Sequence, residues 1–108
     1  MEMAVIETKM GDDALRKTIL AGDRTFAPMG SGGYGIRERE PGIFILSEQD
    51  CMPAQQFFVR IKNGRIWSPI ELSSFFGDML ATAGISFLCT PRTFASREEL
   101  RHEFDTLT

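Results

Sequence analysis

Apolar and polar residues alternate most clearly around positions 57–67, where the pattern predicts a β-hairpin. The runs 57–62 and 65–67 are rich in β-branched and aromatic residues, and the dipeptide Asn63-Gly64 separates them. Asn-Gly favours a type I′ turn, because both central residues of that turn need a positive φ. A two-residue turn also fixes which residues of the two strands lie opposite each other.

The two faces of this hairpin differ in chemistry. One face is apolar and is expected to point into the core: Phe57, Val59, Ile61 and Ile66. The other face mixes aromatic and cationic side chains, and we predict that it binds a partner: Phe58, Arg60, Lys62, Arg65 and Trp67. Arg60 lies opposite Trp67 in this register, which allows a cation–π contact of about 0.5–1 kcal/mol. In an alternative interpretation, Trp67 packs as a hydrophobic staple against Leu72, and Arg60 only covers its ring.

Helical periodicity predicts three helices. The first covers 12–21, with acidic residues at its positive end, and is expected to end at Gly22. The second covers 70–83 and follows a capping-box pattern at 68–71. The third follows a second capping-box pattern at 96–99.

Short apolar runs predict further strands at 4–6, 43–46 and 85–89. Strands and helices are interspersed along the chain, so we expect an α+β domain that covers residues 1–108. Its expected architecture is a single two-layer domain, with about three helices packed on one antiparallel or mixed sheet that contains the 57–67 hairpin.

Composition and charge narrow the function classes. The 108 residues are 43% hydrophobic and 25% charged, which is ordinary for a soluble domain. The net charge of −3 argues against a dedicated nucleic-acid binder, which is usually basic. The N-terminus carries acids where a signal peptide needs bases, and no apolar run has membrane-spanning length. We therefore expect a cytoplasmic protein that has no membrane partner.

A glycine-rich segment carries one weak motif. Gly30, Gly32 and Gly35 satisfy G-x-G-x-x-G, which is similar to the phosphate-covering loop of protein kinases over these six residues only. The chain is too short for a kinase, and no helix pattern opens at the last glycine as a dinucleotide site requires. We expect a flexible loop or hairpin tip, and as a weaker hypothesis an anion-binding backbone site with Arg37 nearby. Tyr34, the only tyrosine, is a candidate contact residue.

Few side chains suit catalysis or metal binding. His102 is the only histidine and is expected to face water on the last helix. Cys51 and Cys89 do not have the spacing of metal ligands, so we predict no metal, cofactor or catalytic site. Cys89 lies in an apolar run and is expected to be a small buried hydrophobe.

These features favour a small non-catalytic domain that binds another protein, as a regulator, inhibitor or accessory subunit. Phe58 follows Phe57 on a strand, so one of the two rings must leave the core face, and a homodimer through that face is one form of partner. Two alternatives stay open. One is a binder of nucleic acid, or of a nucleic-acid-processing complex, through the basic and aromatic hairpin face. The other is a small enzyme that uses the glycine loop or Cys51.

Overall fold

A computed structural model describes residues 2–25, 34–48 and 55–106, which form six strands, three α-helices and one 3-10 turn. In chain order they are β1 (Glu2–Thr8), α1 (Asp12–Thr25), β2 (Tyr34–Glu40), β3 (Ile43–Glu48), β4 (Gln56–Lys62), β5 (Arg65–Pro69), the 3-10 turn (Ile70–Leu72), α2 (Ser73–Thr82), β6 (Phe87–Thr93) and α3 (Arg97–Thr106). The strands form one sheet in the order β2-β3-β4-β5-β1-β6, and all neighbours are antiparallel. The predicted α+β class is confirmed.

The 57–67 hairpin forms as predicted. Asn63 and Gly64 have φ values of 54° and 74°, as a type I′ turn requires. Arg60 lies opposite Trp67 on the neighbouring strand, and the other predicted pairs also form. The strands therefore present their side chains to the two faces of the sheet in the expected alternation.

The main hydrophobic core lies between one face of the sheet and helices α1 and α2. It is built from side chains that are almost fully buried: Ile6, Leu15, Ile19, Phe44, Leu46, Val59, Ile61, Ile66, Leu72, Phe76, Met79 and Leu80. The predicted core face of the hairpin belongs to this cluster, and Phe57 packs against it.

A second, smaller core lies on the opposite face of the sheet. It consists of Met3, Val5, Trp67 and Phe94, which are all buried. Leu100 and Phe104 of α3 pack against this cluster. Because neighbouring residues of β1 and β5 point to opposite faces, α3 must lie on the other side of the sheet from α1 and α2. The structure thus adds a partial third layer to the expected arrangement.

The hairpin turn is held by the start of α1. The Asp12 carboxylate accepts hydrogen bonds from the backbone N–H groups of Asn63 (3.1 Å) and Gly64 (2.7 Å). The Gly64 carbonyl accepts hydrogen bonds from the backbone N–H and the hydroxyl of Thr8, at 2.9 and 2.8 Å. A Cβ at position 64 would lie 2.8 Å from the Met10 carbonyl oxygen, so only glycine fits here.

An ion pair joins α1 to the β2–β3 hairpin. Arg16 donates two hydrogen bonds to the Glu38 carboxylate, at 2.6 and 3.0 Å. The same carboxylate accepts a hydrogen bond from the Gly42 N–H at 3.1 Å. Gly42 has a φ of +83°, and a Cβ there would lie 2.9 Å from the Ile61 carbonyl oxygen. The turn at Pro41-Gly42 therefore abuts β4 as well as α1.

Several predicted boundaries are wrong. Helix α1 does not end at Gly22 but continues to Thr25. Ser68 does not cap a helix: it is fully buried in β5 and its hydroxyl donates to the Pro69 carbonyl at 3.0 Å. Strand β6 extends through Pro91 to Thr93, as an edge strand tolerates a proline that has no N–H to donate.

The predicted Ser96 cap is confirmed at the start of α3, but the reciprocal bond of the capping box is shifted by one residue, from Ser96 to Ala95. The Ser96 hydroxyl oxygen accepts a hydrogen bond from the Glu99 N–H at 3.2 Å. The Glu99 carboxylate accepts one from the Ala95 N–H at 2.7 Å. These two bonds fix where α3 begins.

Asp12→Ala should lower the free energy of unfolding by about 2 kcal/mol more than Asp13→Ala, because it removes a charged acceptor from two turn amides. Each variant removes one acid from the first turn of α1, so their effects on the helix dipole are matched. Urea unfolding of the two variants and the wild type measures the difference. Equal losses would show that the turn does not depend on Asp12.

The free energy of unfolding should fall on acidification, because protonation removes the negative charge of the Glu38 carboxylate. Its hydrogen bond with Arg16 and, to a smaller extent, that with Gly42 hold the pKa of Glu38 below its ordinary value of 4.5, against an opposing effect of burial. A carboxyl whose pKa is lowered by folding stabilises the protein above its unfolded pKa, and this contribution disappears as pH falls through the folded pKa.

The measurement is urea unfolding of the wild type and Glu38→Gln at neutral pH and at acidic pH. The wild type should be the more stable protein at neutral pH, and the difference should shrink as the pH falls below 4.5. A difference that does not change with pH would contradict the assignment.

Candidate functional site

A groove of about 550 Å³ lies between the sheet and α3, on the side of the second core. Its sheet side comes from β1, β4, β5 and the 3-10 turn: Glu2, Met3, Gln56, Phe57, Phe58, Arg60, Trp67, Pro69 and Glu71. Its helical side comes from α3: Arg97, Leu100, Arg101 and Phe104. Three of the predicted binding residues, Phe58, Arg60 and Trp67, are therefore brought together with residues from the last helix.

The helical wall is one stripe of α3. Arg97, Leu100, Arg101 and Phe104 follow the i, i+3, i+4, i+7 spacing of residues that share a helix face. Leu100 and Phe104 pack on the second core, and the two arginines are exposed. The stripe thus combines apolar anchors with an exposed cationic edge.

Trp67 contributes to the sheet side of the groove and is itself only 3% exposed. Its ring stacks on Phe94, with centroids 5.8 Å apart at 27°, and meets Phe104 edge-on at 5.6 Å and 88°. Its indole Nε1 is buried and has no hydrogen-bond acceptor among the described residues. Buried donors are rarely left in this state, because an unmade hydrogen bond costs about 1–3 kcal/mol.

The cations of the hairpin hold α3 in place. The Arg60 guanidinium carbon lies 5.1 Å from the centroid of Phe104, and the Lys62 ammonium lies 5.3 Å from it. Lys62 also donates to the carbonyl oxygens of Phe104 (3.1 Å) and Asp105 (3.3 Å). A cation at the C-terminal end of a helix is favoured by the free carbonyls and the helix dipole.

Trp67 and Arg60 make contacts other than those expected from the sequence. The Arg60 cation lies over Phe104, although Trp67 is its cross-strand neighbour. Trp67 belongs to the second core, whereas Leu72 belongs to the main core, so Trp67 is not a staple against Leu72. The sheet separates the two side chains.

The remaining hairpin residues have distinct surroundings. Phe58 is 51% exposed at the edge of the groove. Arg65 lies outside the groove lining and pairs with Glu7, with an Nε–Oε1 distance of 3.4 Å. Lys62 is engaged with the end of α3, as described above.

The predicted glycine-loop residues lie away from this groove or outside the described residues. Gly30 and Gly32 fall in the stretch that is not described. Tyr34, Gly35 and Arg37 belong to β2, at the far edge of the sheet from β6. Gly35 pairs with Ser47 of β3, so this glycine is part of a strand.

The candidate catalytic residues do not form a cluster in the described part of the chain. Cys89 is exposed on β6, so its predicted burial is wrong: the apolar run is an edge strand whose side chains are mostly uncovered. His102 is exposed, as predicted, and Cys51 lies outside the described residues. Within residues 2–25, 34–48 and 55–106, no group of three His, Cys, Asp or Glu side chains is placed to hold a metal ion. None of the helices described has the length and apolarity needed to cross a membrane.

Two arginines of the groove were not among the residues predicted to bind a partner. Arg97 and Arg101 share the stripe of Leu100 and Phe104, and this spacing is readable in the sequence. What the sequence did not reveal is that this stripe faces the hairpin.

Comparison with known proteins finds no match: no protein-family model, no curated protein and no solved structure is similar to this chain. The function must therefore be inferred from the chemistry of the groove.

Phe104→Ala should uncover Trp67, the only tryptophan in the chain. We expect a red-shifted fluorescence emission, stronger acrylamide quenching and a loss of about 2 kcal/mol of unfolding free energy, since Phe104 is only partly buried. His102→Ala, on an exposed position of the same helix, is the control and should change neither property. Unchanged emission in Phe104→Ala would mean that α3 does not cover the indole.

Proposed function

We propose that this protein is a non-catalytic domain that binds another protein, and that the groove between the hairpin and α3 receives a segment of that partner. The observation that carries the proposal is the combination of aromatic and arginine side chains in one concave site. Aromatic residues, methionine and arginine are the side chains enriched at protein interfaces, where a few buried anchors dominate the binding energy.

The dimensions of the groove suit a short stretch of polypeptide. Helix α3, which forms one wall, has ten residues and therefore rises about 15 Å. An extended chain advances about 3.3 Å per residue, so roughly four or five residues would fit along this wall. The volume of about 550 Å³ is also typical of binding sites.

The chemistry of the lining supports binding rather than catalysis. Among the described lining residues there is no Ser, Thr, Cys, Lys or His side chain. Nucleophilic catalysis by a hydroxyl, thiol, amine or imidazole needs one of these groups, and arginine is neither a nucleophile nor a base at neutral pH. The carboxylates of the lining are Glu2 and Glu71, and the other described lining residues are apolar, aromatic, amide or arginine groups that suit recognition.

Such a domain would act as a regulator, inhibitor or accessory subunit of the protein whose segment it holds. Phe58 extends the site beyond the groove, since half of its side chain is exposed at the edge. A second copy of the chain is one partner that could cover this ring, and a folded partner would bury it together with the groove.

Affinity capture from the native host, followed by mass spectrometry, tests the proposal. The double variant Arg97→Glu/Arg101→Glu reverses two exposed groove charges and leaves the aromatic core intact. We expect it to lose a partner that the wild type retains, because charge reversal at an interface opposes association.

The matched control is Lys17→Glu/Arg39→Glu, which makes the same charge change at exposed positions outside the groove. It should retain the partner, and circular dichroism should show that all three proteins are folded. A partner that survives reversal of the groove charges would refute the proposed role of this surface.

A further inference from the structure

We infer that the groove selects an acidic segment that carries an apolar anchor residue, and that the buried Trp67 indole N–H donates a hydrogen bond to this segment. The inference rests on the proposed function, and adds to it the chemical class of the ligand and the group that recognises it. Three independent features of the groove support it.

The first feature is a pair of arginines that have no counterion in the part of the chain that the structure describes. Arg97 and Arg101 make no ion pair with any described residue. Arg16, Arg65 and Arg92 each pair with a carboxylate, whereas Arg37, Arg39 and Arg60 also make no ion pair with a described residue. Arg97 and Arg101 differ from Arg37 and Arg39 in that they line the groove. Carboxylates of a ligand would give Arg97 and Arg101 the bidentate partners that guanidinium groups bind well.

The charge of the groove is also opposite to that of the whole chain. The lining contains three arginines and two glutamates, whereas the protein has a net charge of −3. An acidic ligand would be repelled by most of the surface and attracted at this site, which guides the encounter and fixes orientation. Glu2 and Glu71 would disfavour a second acidic group in their part of the groove.

The second feature is the unsatisfied donor on Trp67. Its Nε1 is buried without a hydrogen-bond acceptor among the described residues, and the side chain lines the groove. Because the Nε1 atom itself has almost no accessible surface, the side chains that cover it must move before a backbone carbonyl or a carboxylate of the bound segment can supply the acceptor. The binding free energy would then include relief of an existing penalty, because the donor is already desolvated before the ligand arrives.

The third feature is the apolar surface between the charges. Met3, Leu100 and Phe104 lie in the groove beside the arginines, and Phe58 lies at its edge. An aromatic or large aliphatic residue of the ligand would bury this surface, at roughly 25 cal/mol for each Å² removed from water.

These features favour a peptide over a single-stranded nucleic acid. Nucleic-acid binders of that class stack bases on exposed aromatic rings. Trp67 is only 3% exposed and already stacks on Phe94, so its ring is unavailable to a base. This leaves Phe58 as the one largely exposed aromatic ring among the described lining residues, so the groove does not offer a series of stacking surfaces.

Nuclear magnetic resonance can test the inference directly, because Trp67 is the only tryptophan and gives a single indole N–H resonance. The probe is a short capped peptide in which a central phenylalanine is flanked by glutamate and aspartate. The control peptide has lysine at every acidic position. The acidic peptide should shift the indole resonance and the amides of α3, and the lysine peptide should not.

The variants of the capture experiment sharpen this test. Arg97→Glu/Arg101→Glu should weaken binding of the acidic peptide by at least about tenfold. Lys17→Glu/Arg39→Glu has the same net charge and should bind as the wild type does. The amide spectrum of each variant, recorded without peptide, shows whether it is folded.

Equal binding of the acidic and lysine peptides would overturn the ligand class, and so would preferential binding of a single-stranded oligonucleotide. An indole resonance that does not move while the α3 amides respond would overturn the role of Trp67. No response to the acidic peptide would also overturn the inference. The proposed function would then be decided separately by the capture experiment, in which Arg97→Glu/Arg101→Glu either loses or retains the natural partner.

Discussion

The structure depends on one junction, where the Asp12 carboxylate holds the amides of the hairpin turn. Strand β1 ends at Thr8, whose backbone and hydroxyl both bond to Gly64, and α1 begins at Asp12. The junction therefore fixes the β1–β5 pairing, the start of α1 and the tip of the hairpin at a single place. The carboxylate also lies at the positive end of the helix, where a negative charge is favoured. Local turn chemistry and long-range packing thus require the same residues, which is characteristic of a sequence with one stable fold.

The central strands connect the two sides of the molecule. Ile66 and Trp67 are neighbours on β5, yet the first lies in the main core and the second in the smaller core. The floor of the groove is consequently part of the sheet, and its position is set by strand pairing rather than by a loop. The helical wall is fixed differently, through the contacts of Phe104 and Lys62 and the ion pair of Arg92 with Glu103.

The features that were predicted correctly from the sequence are those that local backbone preferences and residue alternation determine. The Asn63-Gly64 turn, the cross-strand pairs and the apolar face of the hairpin follow from φ preferences and alternation, and all are confirmed. Ser68 matches a capping-box pattern as well as Ser96 does, but pairing of Ser68 with Ala4 and its burial place it in a strand. Cys89 is exposed because β6 is the edge of the sheet, which no local pattern reveals. The groove itself was only half predictable, because the packing of α3 on the hairpin is a long-range contact.

Helix α3 differs from the other two helices in having no fully buried residue. Segments with little buried surface are those that open at low free energy while the rest of a protein stays folded. The groove therefore has one wall that belongs to the sheet and one wall that buries little surface. A ligand that contacts both walls stabilises α3 in its packed position on the second core. By mass action, a higher ligand concentration should therefore increase the protection of this helix from hydrogen exchange. Occupancy of the groove and order of the C-terminal helix are thus two measures of one equilibrium.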